Sequence, residues 1–180
     1  MADHRLFVAA TPPATIRVAL TAAMAGMPGA RWQTDEQLHV TLRFIGSVDR
    51  HQAEDIAAVL GHVRHPPIML ELGTVGTFDR QGRIDTLWIG IQPRDRIAPL
   101  HDKIDRALVQ AGVPADARAF RPHVTLARFT RGTAPDQAMA SRMTIPPLPT
   151  FAIERFALYE SHLGAGGASY EAIAHYQLRD

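Results

Sequence analysis

Two histidines stand in the same four-residue context at distant points of the chain. The first copy is His39-Val40-Thr41-Leu42 and the second is His123-Val124-Thr125-Leu126, so the histidines lie 84 positions apart in 180 residues. Both copies fall in runs of β-branched and aliphatic residues, which are typical of strands. A repeat placed in two predicted strands, almost half a chain apart, indicates two related halves of one fold.

The strand period decides which side chains of each copy share a face. Successive side chains of a strand point to opposite sides, so His39 and Thr41 share one face, and His123 and Thr125 share one face of the second strand. The valine and leucine of each copy then provide an apolar face for a core. If a pseudo-twofold axis relates the halves, two imidazoles and two hydroxyls converge on one small site.

Such a site is suited to phosphate ester chemistry. In-line displacement at phosphorus needs a base that activates water on one side and an acid that protonates the leaving oxygen on the other. Histidine, with an ordinary pKa near 6.5, serves in either role at neutral pH, and each role is typically worth about 10²–10⁴-fold in rate. The threonine hydroxyls can donate to the non-bridging oxygens. This chemistry requires neither a metal nor another cofactor.

Strand and helix patterns interleave along the chain, and several predicted strands follow one another with no helix between them. The predicted strands are 5–9, 38–45, 68–75, 86–91, 123–129, 151–159 and 170–178. Helical spacing of apolar residues predicts helices over 12–25, 50–65 and 97–111, with a short helix near 136–143. A turn is expected at 78–83, and a small-residue loop at 164–168. This order predicts an α+β fold with largely antiparallel sheets.

Composition restricts the class of protein without naming a partner. A length of 180 residues suits one domain, and 46% apolar with 21% charged residues is ordinary for a globular chain. The net charge of +1 neither demands nor excludes nucleic acid, because a short oligonucleotide needs only local positive charge. The chain has no cysteine, which excludes disulfides and thiolate chemistry. We see no signal peptide and no apolar run long enough to cross a membrane, and we expect a cytoplasmic protein.

These motifs and their flanks resemble the 2H phosphoesterase superfamily, and within it the RNA 2′,3′-cyclic phosphodiesterases, also called 2′-5′ RNA ligases. The superfamily signature is a pair of His-x-Thr/Ser-x motifs with apolar residues at the x positions, and both copies here are HVTL. The resemblance spans nearly the whole chain: RLFVAA at 5–10, LHVTLRFIG at 38–46, GTVGTF at 73–78, LWIG at 87–90, FRPHVTLAR at 120–128, FALYES at 156–161 and YE at 170–171. It implies one bilobal domain over 1–180, with two mostly antiparallel sheets facing a central cleft and helices outside.

The resemblance also implies an activity and roles. Members open a 2′,3′-cyclic phosphate to a 2′-phosphate, so that the 3′ oxygen leaves. By resemblance, His39 is the proton donor to that oxygen and His123 the proton acceptor for water, although the similarity of the motifs leaves this order reversible. Thr41 and Thr125 bind the phosphate. The expected partners are RNA ends with a 2′,3′-cyclic phosphate and small nucleotides, ligation at 2′-5′ linkages is the related reverse chemistry, and a monomer is expected.

Two arginines follow the motifs. Arg128 matches a family position that helps bind phosphate or nucleobase, but simple alternation places it opposite His123, so a strand end or bulge must turn it inward. Alternation places Arg43 beside His39 and Thr41, where it either strengthens substrate binding or lies at the rim. For Trp32, Phe44, Phe78 and Trp88, core packing is the expected role rather than base stacking.

Other readings stay open at this point. One is a 2H phosphodiesterase for a different nucleotide or for a 2′-5′ oligonucleotide. Another, from a different class, is a non-catalytic module that binds RNA or nucleotides in the same cleft. His62 and His65 have a spacing that a metal could use, but no third ligand is evident and Pro66-Pro67 follows, so we expect no metal site there.

Overall fold

A computed structural model describes residues 4–130, 132–164 and 167–180. In these ranges the strands are β1 His4–Ala10, β2 Arg31–Trp32, β3 Val40–Val48, β4 Ile68–Arg80, β5 Arg83–Gln92, β6 His123–Arg128, β7 Phe151–Ile153, β8 Arg155–Gly164 and β9 Gly167–Gln177. The α-helices are α1 Ala14–Ala23, α2 Arg50–Leu60, α3 Arg94–Gln110 and α4 Gln137–Ala140, and Asp35–Gln37 form a 3-10 turn. Residues 165 and 166 of the predicted small-residue loop lie outside the described residues.

The strands form one connected sheet in which each described pairing is antiparallel. Its order is β7-β4-β5-β6-β3-β1-β8-β9, and β2 pairs with β6. We call β3, β1, β8 and β9 the first half-sheet, and β7, β4, β5 and β6 the second half-sheet. The halves meet where β3 pairs with β6 at Val40 and Val124. The α+β class with mostly antiparallel strands is confirmed, and the two expected sheets are joined at this pair.

One face of the central strands belongs to the hydrophobic core. Val40, Leu42, Val124 and Leu126 are at most 1% exposed and lie in the same apolar cluster as the buried sides of α2 and α3. On α3 that buried side repeats every three or four residues, as predicted: Ile97, Leu100, Ile104 and Leu108. Because side chains alternate, this packing presents the histidine and threonine of each motif to the other face.

Several element ends differ from the sequence predictions. β3 continues beyond the predicted end at residue 45; Gly46 takes φ +94° inside the strand, and pairing continues to Val48. The expected turn at 78–83 is a two-residue hairpin turn at Gln81 and Gly82, both with positive φ, which suits the twist of the flanking strands. α1 begins at Ala14, two residues after the predicted start, and no side chain caps it; the Thr11 hydroxyl bonds the Tyr159 hydroxyl at 2.9 Å. No helix in the described ranges is long and apolar enough to cross a membrane.

Candidate active site

The β3–β6 junction brings the two HVTL motifs together. His39 directly precedes β3 and His123 begins β6, and Val40 pairs with Val124 in antiparallel register. One residue to either side of that pair, the register sets His39 across from Thr125 and Thr41 across from His123. All four side chains line one cavity of about 580 Å³. The structure therefore places the four predicted residues together around a local twofold.

Both imidazoles are oriented by the backbone two residues upstream. His123 Nδ1 lies 2.6 Å from the Arg121 carbonyl oxygen, and the His39 ring hydrogen-bonds the backbone of Gln37. A carbonyl oxygen only accepts, so Nδ1 of His123 carries the proton in the neutral ring. Its Nε2 is then the unprotonated nitrogen and is available as a base.

Aromatic side chains enclose each imidazole. The His39 ring lies 5.1 Å from Phe7 and 5.3 Å, edge to face, from Tyr170, with Tyr159 at 6.3 Å. The His123 ring lies 5.0 Å from Phe78 and 5.8 Å from Trp88. Phe78 and Trp88 therefore contact a site residue, a role that sequence reasoning did not assign to them.

Burial controls the ionisation of both histidines. Loss of solvent around His39 lowers its pKa to about 4, with the hydrogen bond that the ring donates to the Gln37 backbone opposing the shift and the charges of His123 and Arg128 adding to it. Burial also lowers the pKa of His123, again opposed by a backbone hydrogen bond, that of Arg121, and assisted by the Arg128 charge. With no anion bound, both rings are therefore neutral at pH 7.

A β-bulge turns Arg128 into the cleft. Trp88 pairs with Thr125 and Leu87 with Ala127, which leaves Leu126 as an extra residue of β6. Alternation is thereby reset, and Arg128 becomes an exposed side chain that lines the cavity with both histidines. The bulge that the sequence analysis required to turn Arg128 inward is therefore present.

The expected position of Arg43 is wrong, for the same physical reason. Ala9 pairs with Thr41 and Val8 with Arg43, so Leu42 is an extra residue of β3 and the face changes after it. Arg43 is only 5% exposed, and its Nε donates to Asp105 Oδ1 at 2.6 Å. Its other nitrogens donate to the carbonyl oxygens of Phe44 and Pro114. These contacts stabilise β3, and the role of Arg43 in substrate binding stays a prediction.

The residue that the bulge delivers to the cleft is Phe44. Its ring is 52% exposed and lines the same cavity as the histidines, where core packing was expected. The Arg118 guanidinium lies 5.7 Å from the ring centroid and is held there by Asp116 through Nε at 2.9 Å and Nη2 at 3.0 Å. A signal was present in the sequence, because Phe44 and Arg128 occupy the same position, five residues after their histidines.

The cavity is cationic although the chain is nearly neutral. Among the described residues, its lining includes Arg5, Arg118 and Arg128 and contains no aspartate or glutamate. No group of three metal-ligating side chains is found in the described part of the chain. The lining thus favours an anionic ligand with an aromatic or apolar part.

Comparison with known proteins identifies the family. The model of the 2′-5′ RNA ligase superfamily matches residues 12–165, which is most of the chain. The chain belongs to the 2′-5′ RNA ligase superfamily. The matched range includes both HVTL motifs.

Superfamily relatives with a curated activity match at moderate identity. The RNA 2′,3′-cyclic phosphodiesterase of Escherichia coli is 29% identical over 97% of both chains. A protein of the same name from Geobacillus stearothermophilus is 28% identical over 87% of this chain, which spans about half of that relative's length. Among solved structures, apo E. coli LigT has a TM-score of 0.82 at 27% identity with complete coverage of both chains, and LigT was also solved with 3′-AMP.

Proposed function

We propose that this protein hydrolyses the 2′,3′-cyclic phosphate at RNA ends to a 2′-phosphate by acid–base catalysis between His39 and His123. The observation that carries the proposal is the Val40–Val124 register, which sets the two His-x-Thr faces across one cavity. Relatives named RNA 2′,3′-cyclic phosphodiesterase over most of the chain support the same reaction. We also propose that the protein acts as a monomer in the cytoplasm.

The reaction follows from the positions of the four motif side chains. The cyclic phosphate lies between the imidazoles, and the hydroxyls of Thr41 and Thr125 with the Arg128 guanidinium donate to its non-bridging oxygens. Nε2 of His123 takes a proton from water as the water oxygen bonds to phosphorus. The bond from phosphorus to the 3′ oxygen breaks, and protonated His39 gives its proton to that oxygen. A 2′-phosphate and a 3′-hydroxyl remain.

Because the pKa of His39 is low in the free protein, the ring must take up a proton from solvent when the anionic substrate binds. Burial, with the Arg128 cation adding to it, lowers the pKa of His39 to about 4 in the free protein, so the ring is neutral at pH 7. A phosphate anion next to the ring favours the imidazolium and raises its pKa. The acid is therefore formed in the complex, and it loses its charge again when the proton passes to the 3′ oxygen.

The terminal nucleobase has a platform in Phe44. Its exposed ring lies in the wall of the cavity, 6.2 Å from the Phe7 ring, which in turn contacts His39. An aromatic face stacks on any base, so this contact gives affinity without strong base preference. We accordingly expect turnover of all four nucleotide ends.

A product analysis tests the proposal. The protein is incubated in EDTA with an oligonucleotide that ends in a 2′,3′-cyclic phosphate, alone and with a 5′-hydroxyl RNA, and the products are identified by mass and by their resistance to enzymes that act on 3′-phosphates. The expected product is the 2′-phosphate. Turnover of a different phosphoester only would favour another 2H substrate, and binding without turnover would favour a non-catalytic module.

A further inference from the structure

Arg5 lies on the cleft face of the first half-sheet, next to the aromatic enclosure of His39. β1 pairs regularly with β8 from Leu6 to Ala9, so alternation along β1 is undisturbed. Arg5 and Phe7 therefore share a face and lie about 6.6 Å apart along the strand. The Phe7 ring contacts His39, so Arg5 is the neighbour, on this face of β1, of a residue that touches the proposed catalytic histidine. It also lines the cavity that contains both histidines.

Hydroxyl groups flank Arg5 on both neighbouring strands. Ser47 of β3 pairs directly with Arg5, and the β1–β8 register sets Ser161 of β8 across from it on the other side. Tyr170 of β9 pairs with Ser161. Residues directly opposite one another in an antiparallel sheet share a face, so Ser47, Arg5, Ser161 and Tyr170 form one row across the cleft face. We call these four residues the Arg5 row.

The charge of the Arg5 row is not compensated. Arg5 makes no ion pair or side-chain hydrogen bond with the other described residues, whereas Arg118 is held by Asp116. The nearest carboxylates of these strands, Glu160 and Glu171, alternate onto the opposite face, where Glu160 pairs with His4 at 2.9 Å and Glu171 with His162 at 3.5 Å. An exposed guanidinium between hydroxyls suits a phosphate group.

We propose that the Arg5 row binds the phosphate on the 5′ oxygen of the nucleoside that carries the cyclic phosphate. The protein then prefers a nucleoside 2′,3′-cyclic phosphate with a 5′-phosphate over one without it. The inference rests on the proposed function, because it takes the cyclic phosphate to lie between His39 and His123. In RNA this 5′ phosphate is the linkage to the preceding nucleotide. The Arg5 row thereby distinguishes the end of an RNA chain from a free cyclic nucleotide, and it does so without reading a base.

A pair of substrates that differ in this phosphate alone tests the inference. kcat/KM is measured for adenosine 2′,3′-cyclic phosphate with and without a 5′-phosphate, and we expect the phosphorylated form to be favoured about tenfold, the size of one charge-assisted contact. In Arg5→Gln the ratio should fall to about one, and Arg5→Lys should keep part of it. Arg94→Gln, which removes an exposed arginine of α3 outside the cavity, should keep the full ratio.

Binding of products provides a second measurement that does not depend on turnover. Calorimetry with adenosine 2′-phosphate and adenosine 2′,5′-bisphosphate should show about tenfold tighter binding of the bisphosphate by the original protein and equal binding by Arg5→Gln. Equal treatment of both ligands by the original protein, or an unchanged preference in Arg5→Gln, would overturn the inference while leaving cyclic phosphate hydrolysis standing. Absence of turnover with an intact 5′-phosphate preference in binding would contradict the proposed function alone.

Discussion

The strands β3 and β6 carry the same motif, and each has an extra residue at the same motif position. The motif leucine is unpaired in both, Leu42 against β1 and Leu126 against β5. After the bulge the fifth residue, Arg43 or Ala127, is buried, and the sixth, Phe44 or Arg128, is exposed in the cleft. The repeat in HVTLRF and HVTLAR is therefore structural over six residues, although only four are identical.

The difference between the halves lies in what the sixth residue offers. The first half-sheet presents an aromatic ring and the second a guanidinium, and both line the cavity that contains the two imidazoles. A nucleotide has the matching asymmetry, with a flat base on one side and a charged phosphate on the other. In the proposed function a symmetric backbone would hold this asymmetric ligand through different sixth residues in the two halves, and the predictions below test the two halves against each other.

The largest effect is expected from the histidines. We expect His39→Ala and His123→Ala each to lower kcat by about 10²–10⁴-fold, because each removes one of the two proton transfers, and to leave the melting temperature close to that of the original protein. The measurement is the initial rate on a cyclic-phosphate end, with thermal unfolding of each variant. His51→Ala, an exposed histidine of α2, serves as the matched control with an unchanged rate. A normal rate in either His39→Ala or His123→Ala would contradict the proposed acid–base roles of the two histidines.

The sixth positions should give unequal losses. Arg128→Gln removes a donor to the phosphate oxygens, and we expect kcat to fall by about 10²–10³-fold, as for other such donors. Phe44→Leu removes a stacking face only, and a loss of about tenfold in kcat/KM is expected. The check is a comparison of both variants on a nucleoside cyclic phosphate and on a ribose cyclic phosphate without a base. Equal losses for Phe44→Leu on both substrates would contradict the base platform.

Sequence reasoning found the four motif residues because period-two alternation holds across the first three positions of each copy. It misplaced Arg43 and could not place Arg128 unaided, because a bulge adds one residue and reverses every later side chain. A bulge at Leu42 or Leu126 cannot be predicted from the residue type, because leucine is common in regular strands. The comparison of the two copies does carry a signal, since Phe44 and Arg128 are large residues at the same offset from their histidines.

The fold was predictable in class and less so in its strand ends. Apolar spacing located α2 and α3, and the Asp49 side chain caps α2 by accepting from the Gln52 backbone N–H. The strand predicted over 38–45 ended before Gly46, although pairing with β1 continues β3 through this glycine. The two-residue strand β2 and the three-residue strand β7 have too few residues for a periodic signal.

Substitution of Arg43, the fifth residue of the first motif, should change the stability of the fold and leave the catalytic rate almost unchanged. Arg43→Gln should lower the free energy of unfolding by about 3 kcal/mol, the lower end for breaking a buried pair, because Asp105 keeps partial access to water. Urea unfolding measures the change, and kcat of the folded fraction should stay within about twofold. The double variant Arg43→Gln with Asp105→Asn should recover part of the loss. A large drop in kcat without a change of stability would return Arg43 to the substrate site.

The smallest expected effect is a shift of the pH–rate profile when the positive charge of Arg128 is removed. Burial is the main cause of the lowered pKa of both histidines, and the Arg128 cation lowers both further. Removing that cation in Arg128→Gln favours both imidazoliums, so both limbs of the kcat/KM profile should move to higher pH, whereas Arg128→Lys should leave them in place. In the original protein the kcat profile should lie at higher pH than the kcat/KM profile, because bound phosphate raises the pKa of His39. Limbs that stay fixed in Arg128→Gln would show that the two halves are coupled through the substrate and not through this charge.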